Sequence, residues 1–336
     1  MLKTPRKTYS ALFISLLLII VLGGLNLALG STKIPVADLW RFITGQMRDP
    51  DEPAYVILRY ARLPRMLAAI LTGAGLSLAG LILQSLFRNP LASANLIGVN
   101  SGAGFTTALI IAFFPQHYEL LPLASFLGAL CVTLLVYGLA KKHSRGRQTI
   151  ILAGVALSSL MGALTDAILL LFPDTLIDRR DFILGSLTGL RLQDLLMPGI
   201  LIAIAAGFAI YFSTELNLLY LGDELAGSLG LAVGPMEFFF IILASLLAGS
   251  VVSFAGLVGF IGLIVPHILR LIVGQDHRIL IPLAAIFGAA FALFCDLLSR
   301  ILFAPYELPL GIVLSFLGAP FFLYLLLHRK GAIYDV

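Results

Sequence analysis

Thr214–Gly234 reads TELNLLYLGDELAGSLGLAVG. Glu215, Asp223 and Glu224 interrupt it too often for a membrane span. Its leucines recur at helical spacing beside small residues, the pattern of short, half-buried helices. Long apolar runs lie on both sides of it. Across the 336 residues 60% are hydrophobic and 12% charged, with a mean hydropathy of +1.02. A soluble domain would carry roughly 25% charged residues, so the chain reads as a polytopic membrane protein. A chain so apolar that keeps an acidic helical segment between two spans uses that segment to meet something.

The net charge of +4 and pI near 9.1 are what basic loops on one side of a membrane produce, and give no argument for nucleic acid. Cys131 and Cys295 stand far apart in apolar segments and read as small packing residues. Apolar runs predict ten spans, at 9–30, 61–86, 95–114, 119–140, 149–172, 192–213, 236–253, 260–273, 279–303 and 308–327, with 214–234 left on the surface. The first run lacks a small-x-small cleavage site and is expected to be retained. The basic loop KKHSRGRQ (141–148) marks the cytoplasmic side, which places both termini there. On that layout 12 of the 22 Lys and Arg lie inside and 10 outside, a weak bias. The outer surplus is arginine: Arg59, Arg62 and Arg65 at the mouth of the second span, and Arg179, Arg180, Arg191 and Arg300 at other outer ends. Local pairing with carboxylates or lipid phosphates would account for most of them, and for Arg62 and Arg65 a functional reading competes.

Sliding the chain by 176 residues lays Leu71, Gly73, Ser77, Ala79, Gly80, Leu81 and Pro90 on Leu247, Gly249, Ser253, Ala255, Gly256, Leu257 and Pro266. The matched helices are five spans apart, so their directions are opposed and the halves are candidates for an inverted repeat. Ala69, Gly73 and Ser77, and again Ser245, Gly249 and Ser253, form small-residue ridges suited to close packing. Pro266, beside His267, is expected to bend or break its span, and His267 reads as a hydrogen-bonded structural residue. Of the intramembrane acids, Asp166 and Asp296, the second has Arg300 at the spacing of a helical ion pair. No nucleotide-binding P-loop, zinc motif, nucleophile elbow or metal-spaced cysteine pair occurs, so the chain is not expected to be an enzyme or to carry a cofactor.

RLPR (62–65), AGLILQSLFRNPLASANLIGVNSGA (79–103), LGDELAGSLG (221–230), FAGLVGFIGLIVPHILR (254–270) and ELPLGIVLSFLGAPFFLYLL (307–326) resemble, in order and nearly end to end, the permeases of the FecCD family. These are type II ABC importers for ferric siderophores, haem and vitamin B12. The resemblance implies an all-α permease domain of ten helices in a bacterial or archaeal plasma membrane. It works as a homodimer or heterodimer with a second permease subunit, within membrane lipid. Its implied partners are two ABC ATPase subunits and a periplasmic or lipid-anchored substrate-binding protein. By the same resemblance Arg62, Arg65 and Arg300 meet the binding protein. Leu221, Gly222, Asp223, Glu224, Leu225 and Gly230 match the segment coupled to the ATPase, and Ser158, Ser159 and Gly162 line the translocation path. An ion-coupled secondary transporter with inverted repeats is the alternative; ATP-dependent rather than gradient-dependent uptake separates the two.

Overall fold

The computed structural model describes residues 5–30, 32, 34–47, 49, 51–94, 98–117, 120–142, 146–172 and 181–328. Among them every regular element is a helix. The helices are α1 (Pro5–Ala28), α2 (Val36–Ile43), α3 (Pro53–Val56), α4 (Leu63–Leu86), α5 (Val99–Phe113), α6 (Leu121–Lys142) and α7 (Gly146–Leu171). They continue as α8 (Leu192–Tyr211), α9 (Ser213–Leu221), α10 (Asp223–Ser228), α11 (Val233–Ala255), α12 (Ile261–Val273), α13 (His277–Ile301) and α14 (Leu310–His328). A π-helical turn, Ile57–Arg62, joins α3 to α4, so the helix expected to start at 61 starts at Pro53. Among the described residues, six helical stretches are long and apolar enough to cross a membrane: 8–28, 53–86, 152–171, 192–211, 233–255 and 277–301. Stretches of α5, α6, α12 and α14 are apolar but shorter. An apolar helix suits that medium because its backbone bonds are satisfied within the segment. The start expected at 95, part of the KKHSRGRQ loop, Arg179, Arg180 and the tail from 329 lie outside the described residues.

The core sits around α4, which packs on α13, α11 and α12, while α1, α7 and α8 turn large apolar side chains outward. Small residues set the closest approaches. A Cβ on Gly73 would collide with the Gly288 carbonyl of α13, and one on Gly80 with Gly262 of α12. Beside the first contact the Ser77 hydroxyl donates to the Ala284 carbonyl at 2.6 Å. The Gly73–Ser77 ridge is thus the seam between α4 and α13. Its counterpart, Gly249 on α11, faces Phe126 and Ala129 of α6. Within α5–α6 the crossing is at Gly102 and Gly128. Helices α4 and α11 and helices α13 and α6 therefore exchange roles, as a twofold relating the two halves would exchange them.

Pro266 does not break α12, which runs through it. Proline removes the bond to the carbonyl four residues earlier. That carbonyl, Gly262, instead accepts from Gln84 Nε2 at 2.8 Å, so α4 supplies the missing donor. The chain breaks upstream, between Ala255 and Ile261, where Gly256 (φ +71°) and Phe260 (φ +67°) take left-handed backbone. Non-helical backbone at this depth is tolerated where protein covers it. Here Leu257 N–H donates to the Phe182 carbonyl at 2.8 Å, and Gly311 N–H to the Gly185 carbonyl at 3.0 Å.

Candidate functional site

At one end of the α4–α13 pair, Thr214–Gly234 folds largely as two short helices, α9 and α10, hinged at Gly222. Gly222 is buried, with φ +119°, and a Cβ there would lie 2.7 Å from Arg88 Nη1. The backbone angle is the demand that favours glycine, since the Arg88 tip could move aside. Arg88, just past α4, reaches across to Asp223 at 3.3 Å. Ala226 is buried beneath α10, whereas Leu221 at the end of α9, and Leu225 and Leu229 one turn apart along α10, are 55%, 57% and 61% exposed. Asp223, Glu224 and Gly230 are exposed beside them, Gly230 with φ +87°. The segment therefore presents exposed leucines beside acidic side chains while its underside is fastened to the body.

The fastening is a polar cluster that local sequence does not announce. Asn217 of α9 accepts through Oδ1 from the His277 backbone N–H (2.9 Å), and the same oxygen lies 2.7 Å from the ring Nδ1. Its Nδ2 donates to Asp276 Oδ1 at 2.9 Å. Asp276 caps α13, also accepting from Arg278 N–H at 3.0 Å. Turning the amide over would set donor against donor and oxygen against carboxylate, so its orientation is fixed. With Nδ1 donating, Nε2 lies against the Ser85 hydroxyl at the end of α4, which also donates to the Leu81 carbonyl at 2.7 Å. Asn217, His277 and Ser85 thus tie three elements together. The signal in the sequence was limited to an aspartate before an apolar run, the mark of a helix start.

The other end of the pair holds the arginines. Arg62, Arg65 and Arg300 are 5%, 8% and 4% exposed. Arg65 Nε donates to Asp296 Oδ1 at 2.8 Å, Nη2 to Ser299 Oγ at 3.2 Å, and Nη1 to Glu307. Arg300 pairs with Asp296 Oδ2 at 3.3 Å, the expected helical spacing, and donates to the Asn26 and Leu29 carbonyls of the α1 end, both at 3.1 Å. Arg62 donates to the Leu27 carbonyl at 2.6 Å and to the Thr32 carbonyl. These guanidiniums are committed to partners within the chain, so the direct contact expected with a docked protein is not open to them as they stand. Among the described residues, Arg59 and Arg191 are exposed arginines of this end. Three cations against Asp296 and Glu307 leave a surplus positive charge around a cavity of about 220 Å³ lined by Gly30, Tyr60, Thr188 and the network itself.

Ser158, Ser159 and Gly162 lie on α7, which packs chiefly on α5 and α6. The Ser158 hydroxyl accepts from Ser101 at 3.2 Å. Ser159 is exposed and bonds back to the Val155 carbonyl, and a Cβ on Gly162 would meet nothing within 4 Å. These residues do not join the arginine network or the segment. Elsewhere His267 is buried beside the Phe321 ring. Cys295 is buried, Cys131 is exposed, and both are free thiols.

An all-α, membrane-crossing body, a helical segment held outside its spans and a fixed cationic network at the opposite end define a membrane transport subunit. The FecCD transport family matches residues 16–328, and the chain belongs to it. It is 36% identical over 334 residues to the hemin transport system permease protein HmuU of Yersinia pestis, covering 97% of each chain. It is 35% identical over 307 residues to the Fe(3+) dicitrate transport system permease protein FecD of Escherichia coli, covering 91% of this chain and 94% of that one. A solved inward-facing metal-chelate type ABC transporter superposes with a TM-score of 0.82 at 29% identity, over 96% of this chain and 99% of the other. The relatives are membrane permease components of ABC transporters, and nothing in this chain shows an enzymatic activity of its own.

Proposed function

We propose that the chain is the membrane-spanning subunit of an ATP-driven importer for an iron complex, ferric siderophore or haem, or for vitamin B12. The observation that carries the reading is the near full-length match to a metal-chelate ABC transporter. A substrate-binding protein delivers the cargo, and two ATPase subunits drive a permease dimer between outward and inward openings. All ten apolar helices span, with both termini and Thr214–Gly234 on the cytoplasmic side. Leu221, Leu225 and Leu229 enter a groove of the ATPase, with Gly222 as hinge and Asp223, Glu224 and Gly230 shaping the approach. Three exposed leucines on short acidic helices, outside the helices long enough to span, support this placement. The arginine end faces the binding protein. Arg62, Arg65 and Arg300 act there by fixing the surface and its positive potential, while exposed Arg59 and Arg191 make the pairs with acidic lobes. Ser159 and Gly162, on the uncovered side of α7, border the path at the dimer axis, with Ser158 behind them.

Reconstitution in proteoliposomes with the ATPase and the binding protein tests the reading. Uptake of ferric siderophore, haem or cobalamin should require ATP and the binding protein and ignore imposed ion gradients. Uptake that follows a gradient without ATP would overturn it.

A further inference from the structure

Helix α2 (Val36–Ile43, VADLWRFI) has three faces. At about 100° per residue, Val36, Trp40 and Ile43 fall on one narrow stripe, and they are 76%, 65% and 62% exposed. On the next face Leu39 and Phe42 pack into a small cluster with Leu27, Ile34 and Leu58. The third face is polar. Arg41 holds Asp38 at 3.2 Å and grips both oxygens of Glu52, at 3.0 and 3.3 Å. Protein covers the second face and water suits the third, but the first is a large aromatic and two branched aliphatics with no cover.

Depth decides what covers it. The cluster under α2 includes Leu27, next to the last residue of α1, and Leu58, in the π turn that leads into α4. Helix α2 therefore sits level with the end of α1, where Leu25 and Leu29 are themselves exposed, as are Val21 and Ile20 further down. That side of α1 is apolar along its length, as a lipid-facing side is. The α2 stripe continues this surface, and Tyr60, 65% exposed, and Val56 extend it on the neighbouring helix. Tryptophan and tyrosine at the end of an apolar surface match the preference of these rings for the headgroup level.

We propose that α2 lies flat in the lipid interface at the arginine end, with Val36, Trp40 and Ile43 against the upper acyl chains and Asp38, Arg41 and Glu52 in water. Eight residues are too few to bind a bilayer alone; here the helix is carried there by α1 and the Leu27–Leu58 cluster. Lipid thereby holds in place the connection that leads into Arg62 and Arg65. The assignment rests on the chain crossing a membrane and is independent of cargo or energy source.

Trp40 is the single tryptophan of the chain, so the unaltered protein reports on the stripe. The experiment is emission from full-length protein in proteoliposomes of phosphatidylcholine brominated near either the carbonyl or the methyl end of its acyl chain, with iodide as the aqueous quencher. The expected result is quenching at least twofold stronger from the carbonyl-end bromines than from the methyl-end ones, with iodide nearly without effect. Strong iodide quenching with neither bromolipid acting would put the stripe in water and overturn the proposal. Protection from all three quenchers would mean that protein, either a second copy or a docked partner, covers the stripe, and would overturn it equally.

Discussion

Asp296 is fully buried and carries two guanidiniums, one from its own helix and one from 231 residues away. The i,i+4 spacing to Arg300 is visible in the sequence, and the pair exists. Arg65, the nearer partner, is not visible there, because no local pattern reports which residues of distant helices meet at a given depth. For the same reason the arginines could be grouped at one end by the span count, but whether they turned outward or inward could not. Removing one partner of a buried ion pair leaves an uncompensated charge and costs about 3–5 kcal/mol. Asp296→Asn should therefore lower the thermal midpoint of the purified protein sharply. Asp166→Asn, exposed on α7, should stay within about 0.5 kcal/mol. Equal midpoints for the two variants would show that the network contributes nothing to stability. Gln84 offers a second test. Gln84→Leu strips a donor from the Gly262 carbonyl and an acceptor from Arg270, at about 1–3 kcal/mol for each buried group left bare, again read as a fall in midpoint.

Among the elements, the apolar runs of the sequence fall on helices, since a span must satisfy its own backbone and only helices do so, but the helix expected to start at 61 starts at Pro53, and α2 lies in a stretch read as a polar loop. The other misjudged features were those where another helix intervenes. Pro266 suggests a break, but Gln84 heals it, and the break comes upstream between Gly256, a residue type that permits it, and Phe260, whose type carries no such signal. Glycines also divide by context. Gly73→Leu would drive a side chain into Gly288 and Ala289 backbone, an overpacking of about 1–3 kcal/mol or more. Gly162→Leu meets nothing and should leave the midpoint unchanged. If α7 borders the path, Gly162→Trp should cut uptake while the protein remains as stable; unchanged uptake would remove Gly162 from the path. In the segment, Gly222→Arg collides with Arg88 and strains the backbone, and Asp223→Lys sets two cations together. Both should insert normally yet transport severalfold less cargo per ATP hydrolysed, measured as uptake and phosphate release on the same vesicles. An undisturbed ratio would deny the segment its coupling role.

At the scale of the molecule, α4 and α13 are joined by Ser85–His277 at one end, by Gly73–Gly288 and Ser77–Ala284 between, and by Arg65–Asp296 at the other. A pair braced at three levels should move as one body. A Ser77→Cys, Ala284→Cys disulfide, introduced after Cys131 and Cys295 are replaced by alanine, should leave uptake within about twofold of the reduced protein, a cost under ~0.5 kcal/mol. Arrest on oxidation, reversed by reductant, would show that the two helices slide. Asn217 hangs the segment from one tip of this brace, and the arginine cavity is built on the other. Equilibrium coupling between two sites runs equally in both directions. If the proposed partners dock at the two tips, a stiff connection between them makes the binding protein's grip a thermometer of the nucleotide state. Whatever factor ATP imposes on the affinity of the outer face, occupancy of that face must impose on the affinity for ATP, and two titrations on the same assembly would have to return the same number.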